Sequence, residues 1–214
     1  TPLKDRIQSQ ILTHYPESIE LGMKITAQEV RSSEEQRAAV TVPDLMRVLV
    51  ERIAMEARES EFVDRKSGVS ARLAIGALES VISAAERRAL YNKEKSTMVR
   101  IGDLFAVVPA ITGKIELVYE GEQEGPEKVA QHLIGLALRK TFKDLFSDPS
   151  PKRRGAAGAD TYADVVGWFN ENETDVLLDG DAKSYRAALE AVKGLAQVLA
   201  LHPAPVAESE RLLW

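Results

Sequence analysis

The chain has 214 residues, with 28 Lys plus Arg against 33 Asp plus Glu and a formal net charge of -5. That mild acidity disfavours a general nucleic-acid binder, whose footprint is basic. There is no cysteine, which excludes disulfides, thiolate metal sites and a cysteine nucleophile, and no run approaches the roughly 18 apolar residues of a membrane span.

Hydrophobic residues are 44% and aromatics 6%, so an aliphatic core is expected. Nothing at the start pairs a basic cluster with an apolar run, which makes the cytoplasm the expected compartment. From Ile7 to Thr13 apolar and polar residues alternate, closed by Tyr15-Pro16, as in a short strand. Ile19 to Ile25 alternates again and predicts a second strand. Ser32 to Arg37 is charged and can form a short solvated helix. From Thr41 the period becomes helical, with Thr41 as N-cap, Pro43 in the first turn and Asp44 complementing the helix N-terminus. Met46, Leu49, Val50, Ile53 and Ala57 then fall on one face.

Ser67-Gly68 breaks that helix, and a second begins near Val69 or Ser70 with Leu73, Ala77, Leu78, Val81 and Ala85 inward. A third, shorter helix is predicted over Ile101 to Pro109, with Leu104, Phe105 and Val108 inward. Lys114 to Tyr119 is extended or a helical turn. Pro126 opens a fourth helix bearing Val129, Ala130, Leu133, Ile134, Ala137, Phe142 and Leu145 on one side. The Pro-, Gly- and Arg-rich stretch 147–159 reads as a linker. Tyr162, Val165, Val166 and Phe169 mark a short helix, and Asp181 to Leu201 reads as one long helix.

Chemistry is sparse. A phosphate loop needs Gly, four residues, then Gly-Lys-Ser/Thr, so that backbone amides wrap the phosphates. The Gly113-Lys114 pair has Val108 where the first glycine belongs and Ile115 where the hydroxyl belongs, and fails. His14, His132 and His202 lack ligand spacing. Asp175, Asp179, Gly180 and Asp181 lack the alternation and closing Glu of a calcium loop, and a helix N-cap accounts for them better. Ser70 and Ser83 have no base at plausible spacing. Lys152-Arg153-Arg154 reads as a solvated linker.

Two arginines stand apart. Arg6 closes Leu3-Lys4-Asp5-Arg6 before the first strand, and Arg72 opens an Ala-rich helix after Ser67-Gly68-Val69-Ser70-Ala71. A cation in a first helical turn does not complement the dipole. With the free amides there it favours an anion, although from the residues alone a surface arginine bonding a nearby carboxylate is the preferred reading.

The string Pro2-Leu3-Lys4-Asp5-Arg6, Thr13-His14-Tyr15-Pro16, Ser67 to Arg72, and Ser83-Ala84-Ala85-Glu86-Arg87-Arg88-Ala89-Leu90 resembles the AAA+ ATPase subunit of magnesium chelatase and related bacterial ATPases of the MoxR clade. Pro109-Ala110-Ile111-Thr112-Gly113-Lys114-Ile115-Glu116-Leu117 also looks like that family, and the likeness covers roughly residues 1–122. The resemblance implies a mainly α chain, cut from a longer one. Residues 1–42 would be the C-terminal edge of an αβα nucleotide-binding core, 43–122 a helical lid, and 123–214 a helical extension. It implies Arg6 as the arginine finger and Arg72 as the sensor-2 arginine. It also implies ATP and Mg2+ for the whole protein, a homo-oligomeric ring and a partner with a von Willebrand A-type domain. This piece lacks the phosphate loop and magnesium acids, so it is expected to be inactive alone and to bind neither ATP nor Mg2+ tightly. Two other readings stand beside it. One is a stand-alone helical interaction adaptor on a lid-like scaffold, and the other a transcription-linked nucleic-acid binder, which the charge disfavours.

Overall fold

The computed structural model describes residue 11 and residues 13–146, 162–172 and 179–201. The chain is mainly helical, as the periodicity predicts, with a two-stranded parallel sheet. Helices α1 (Ile19–Glu29) and α2 (Glu34–Ala39) lead into strand β1 (Val40–Thr41), followed by α3 (Asp44–Glu59) and α4 (Arg72–Tyr91). Strand β2 (Thr97–Met98) pairs parallel to β1, with Val40 opposite Thr97 and Thr41 opposite Met98. A 3-10 helix (Ile101–Val107) runs into α5 (Val108–Thr112), then α6 (Tyr119–Glu124) and α7 (Pro126–Leu145). Helices α8 (Ala163–Glu171), α9 (Ala182–Glu190) and α10 (Leu195–Leu201) complete the described residues.

The core is built where the apolar stripes meet. Leu49, Ile53 and Ala57 of α3 are fully buried with Leu73, Ala77, Val81 and Ala85 of α4. Ala130, Leu133 and Ala137 of α7 join the same cluster with Val107 and Ile111, so the core is continuous across position 122. Each fully buried Leu, Ile or Val side chain of this cluster contributes about 1.5–3 kcal/mol. Ion pairs edge the α3–α7 seam, Arg52 to Asp144 at 2.6 Å and Lys140 to Glu56 at 2.7 Å. Among the described residues no helix is long and apolar enough to cross a membrane.

Several elements depart from the sequence expectation. Ile19–Ile25 is helix, not strand. Ser18 caps it by accepting the Leu21 N–H at 3.2 Å, and Gly22 and Thr26 turn inward against α3. A short apolar alternation also fits the helical spacing 19, 22, 23, 26, and docking on α3 decides between the two. Thr41 is a strand residue rather than an N-cap, and α3 starts at Asp44 behind Pro43. The third helix is 3-10 from Ile101 to Val107, which advances each side chain by about 120° instead of about 100°. Leu104 therefore points in while Phe105 points out.

The expected long helix 181–201 is two helices, broken at Gly194 (φ 87°), where a Cβ would meet Asp164 at 2.6 Å. Helix α8 forms as predicted but buries none of its residues. Lys114–Tyr119 is mostly extended, and Leu117 bridges Val63 antiparallel. The expected strand at 7–13 and the linker at 147–159 lie in whole or nearly in whole outside the described residues.

Candidate functional site

Helix α4 owes its start to a pinned loop. Asp64 N–H donates to Glu116 O at 2.8 Å and Val118 N–H to Phe62 O at 3.0 Å, fixing residues 62–64 against the chain before α6. Gly68 then takes φ 69°, the left-handed region that favours glycine. A Cβ there would strike the Tyr15 hydroxyl, which itself accepts the Val69 N–H at 3.0 Å. Tyr15 thus ties the segment before α1 to the turn that launches α4.

Arg72 is the first residue of α4. Its N–H donates to Ser70 Oγ at 3.2 Å, its side chain is exposed, and among the described residues nothing bonds its guanidinium. No acid lies in the first turn of α4 to neutralise it. The bland alternative, a surface arginine held by a neighbouring carboxylate, is therefore not realised among these residues. What the geometry offers is an uncommitted cation at a helix start whose first two amides already donate to Ser70, to its Oγ and its carbonyl oxygen.

Arg58 lies beneath the same turn, beside a cavity of about 290 Å³ that Tyr15, Gly68 and Val69 also line. Its Nε donates to Val69 O at 3.2 Å, and its guanidinium lies 4.6 Å from the centre of the Tyr15 ring. Burial lowers its pKa below the ordinary arginine value, opposed by Glu51 and Tyr15. Glu51 is itself buried and accepts a hydrogen bond from Thr26 Oγ1. Burial raises its pKa, against the lowering effects of that bond and of Arg58. Gly22 has no Cβ because one would meet the Glu51 carboxylate.

The other end of α4 holds a network that sequence reasoning did not single out. Arg88, 4% exposed, donates to Thr97 Oγ1, Met98 O and Asp103 Oδ2, each at 2.9 Å. Asp103 Oδ2 also accepts the Arg100 N–H at 2.7 Å. Arg100 donates from Nη1 to Gly180 O at 2.7 Å and stacks 4.2 Å from the centre of the Tyr185 ring. Burial, and then the neighbouring Arg88 cation, lower the Arg100 pKa. Glu94 accepts the Ala182 N–H at 2.7 Å, and Asn92 Nδ2 donates to Asp179 O at 2.8 Å. The network joins α4, β2 and the 3-10 helix and clamps the start of α9. The signal was present in the sequence, since Arg88 continues the apolar stripe of Leu78, Val81 and Ala85, where a charge must find a buried partner.

The remaining sequence candidates resolve simply. Asp181 caps α9, accepting the Ser184 N–H at 2.8 Å. His14 is exposed, and His132 meets Phe62 edge-on at 6.1 Å. Gly113 ends α5 as its C-cap. Arg6, His202 and Lys152-Arg153-Arg154 lie outside the described residues. Among the described residues no group of His, Asp or Glu could hold a metal ion. Comparison of the chain with protein families, with curated proteins and with solved structures finds no match in any of the three.

Proposed function

We propose that this chain is the lid and C-terminal extension of a magnesium-chelatase-like AAA+ ATPase, which couples ATP hydrolysis in a cytoplasmic ring to metal insertion or to remodelling of a partner. One observation carries the reading. Arg72 opens a 20-residue helix behind the left-handed Gly68 turn, exposed and uncommitted, as a sensor-2 arginine would be. Its setting fits a nucleotide phosphate. Among the described residues no group of three or more His, Asp or Glu could hold a metal ion, and this reading assigns Mg2+ to the catalytic core.

With ATP bound, Arg72 would supply a fixed positive charge toward its phosphates. Arginine contacts of that kind are worth on the order of 10³–10⁵ in rate in phosphoryl transfer. Arg6, by the resemblance, serves the neighbouring subunit's nucleotide as a finger, and a von Willebrand A-type subunit is the partner.

The second reading, a stand-alone interaction adaptor, draws on the continuous core, which the described residues close among themselves. One experiment separates the two. The whole open reading frame is expressed, and ATP hydrolysis is measured for the wild type and for Arg72→Ala and Arg6→Ala. The motor reading expects a phosphate loop upstream of Thr1 and a loss of about a thousandfold or more in each variant. A frame with no phosphate loop favours the adaptor, and unchanged hydrolysis in Arg72→Ala removes the sensor assignment. Turnover by the 214-residue chain alone, abolished by Arg72→Ala, would overturn its description as an inactive portion.

A further inference from the structure

Three residues before Arg72, the backbone of Val69 is gripped on both sides by side chains from elsewhere in the chain. Its N–H donates to the Tyr15 hydroxyl at 3.0 Å, and its carbonyl accepts from Arg58 Nε at 3.2 Å. Each peptide unit is planar and turns only about its bonds to the Cα atoms. The two hydrogen bonds therefore fix both planes that meet at the Val69 Cα. Val69 is itself 1% exposed, so its side chain makes a third anchor. From there to Arg72 the path is short and bonded to itself. Ser70 accepts the Arg72 N–H on its Oγ at 3.2 Å and the Leu73 N–H on its carbonyl at 3.0 Å. The direction in which α4 sets out, and with it the direction from which Arg72 projects, is set at Val69.

The two gripping side chains also hold each other. The Arg58 guanidinium lies 4.6 Å from the centre of the Tyr15 ring, an attraction between a cation and an aromatic face. The cavity of about 290 Å³ beside them is lined by Gly68 and Val69, so on that side hydrogen bonds rather than packing keep the turn in place. The Tyr15 hydroxyl occupies the space that a Cβ on Gly68 would take, which is how it comes within reach of the Val69 N–H. Arg58 is a poor choice for stability alone. Its Nη2 is buried with no hydrogen-bond partner among the described residues, and a buried donor left unmet works against folding. An orphaned group of that kind calls for an explanation, and the grip on Val69 beside Arg72 supplies one.

We propose, on the ATPase reading above, that Tyr15 and Arg58 are positioning residues for Arg72. Neither reaches the nucleotide. Each acts through Val69, keeping the start of α4 at one angle so that the Arg72 guanidinium keeps one direction. Tyr15 stands 54 residues before Val69, in the segment that leads into α1. The place of that segment on the bundle therefore sets the aim of Arg72. A shift that withdraws the hydroxyl frees the Val69 N–H and lets the turn relax toward the cavity.

The test uses the whole open reading frame, with kcat and KM for ATP measured in Tyr15→Phe, Arg58→Met, Arg72→Ala and the double variant Tyr15→Phe/Arg72→Ala. Tyr15→Phe keeps the ring over Arg58 and removes only the hydroxyl. It should lower kcat about tenfold to a hundredfold with KM within about twofold of wild type, the signature of a charge misdirected in the transition state. Arg58→Met should do the same. In the Arg72→Ala background, Tyr15→Phe should change kcat by less than about twofold, because no guanidinium remains to misdirect. Circular dichroism melting checks each fold, and if Arg58→Met does not fold, Tyr15→Phe decides. An equal loss from Tyr15→Phe in both backgrounds would mark a purely structural role and overturn the proposal. So would wild-type kcat in Tyr15→Phe while Arg72→Ala is impaired. Unchanged kcat in Arg72→Ala, or a frame that hydrolyses no ATP, would instead defeat the ATPase reading, and the positioning role would fall with it.

Discussion

The two ends of α4 treat charge in opposite ways. At the C-terminal end Arg88 is enclosed, with its guanidinium on a hydroxyl, a carbonyl and a carboxylate, and Asn92 closes the last turn by donating to Arg88 O at 2.9 Å. A cation there also agrees with the helix dipole. At the N-terminal end Arg72 sits exposed against the dipole with no partner among the described residues. In the first arrangement removing one partner strands a buried charge, whereas in the second there is no partner to lose. A charged residue that makes no stabilising contact is a better candidate for function than one woven into the core.

The largest effect that would test this contrast is at Asp103. Asp103→Ala leaves Arg88 buried without its carboxylate and should cost about 3–5 kcal/mol, lowering Tm by roughly 10 °C in scanning calorimetry. The double variant Arg88→Met/Asp103→Leu should recover most of that loss in a double-mutant cycle. Next is Gly68→Ala, which puts a Cβ at φ 69° and against the Tyr15 hydroxyl. Denaturant unfolding should show a loss of about 1–3 kcal/mol.

A pH effect follows at Glu51. Burial raises its folded pKa above the ordinary 4.5, so above that pH the folded chain retains a proton that the unfolded chain has released. Stability therefore falls as pH rises from 4.5 through the folded value. Glu51→Gln should flatten that fall and raise stability at neutral pH, measured by urea unfolding from acid to neutral buffers. The smallest effect belongs to Arg72→Ala, within about 0.5 kcal/mol of wild type. A loss as large as that at Asp103 would erase the distinction between the two ends.

The sequence made α3, α4 and α7 readable because long apolar stripes leave one period to choose from. Helix α1 was misread because seven residues, Ile19 to Ile25, satisfy two periods at once, and only Glu51 and Thr26 across the interface settle which face is buried. Gly194 hid inside an otherwise helical run, since one glycine is tolerated in a helix and its left-handed φ is set by α8 pressing close. Phe105 turned outward because a 3-10 segment shifts every following side chain. At the site, the place of Arg72 at the start of α4 was legible from Gly68 and the Ala-rich run after it. The Arg88–Asp103 pairing was not, because its partners are 15 residues apart and only the chain's path through β2 brings them together.

That path has a kinetic consequence. The β1–β2 pair joins Val40 to Thr97, a closure spanning α3, the pinned loop and all of α4. Two bonded residues per strand cannot offset the loop entropy by themselves, so the ladder forms only once α3 and α4 have collapsed together. The Val99 N–H, which donates to Thr41 O at 3.0 Å and is fully buried, should then open only in global unfolding. Native-state hydrogen exchange should rank that amide among the slowest in the molecule and show it tracking the free energy of complete unfolding as denaturant is added. A two-residue sheet thereby acts as a late latch on the order in which the bundle assembles.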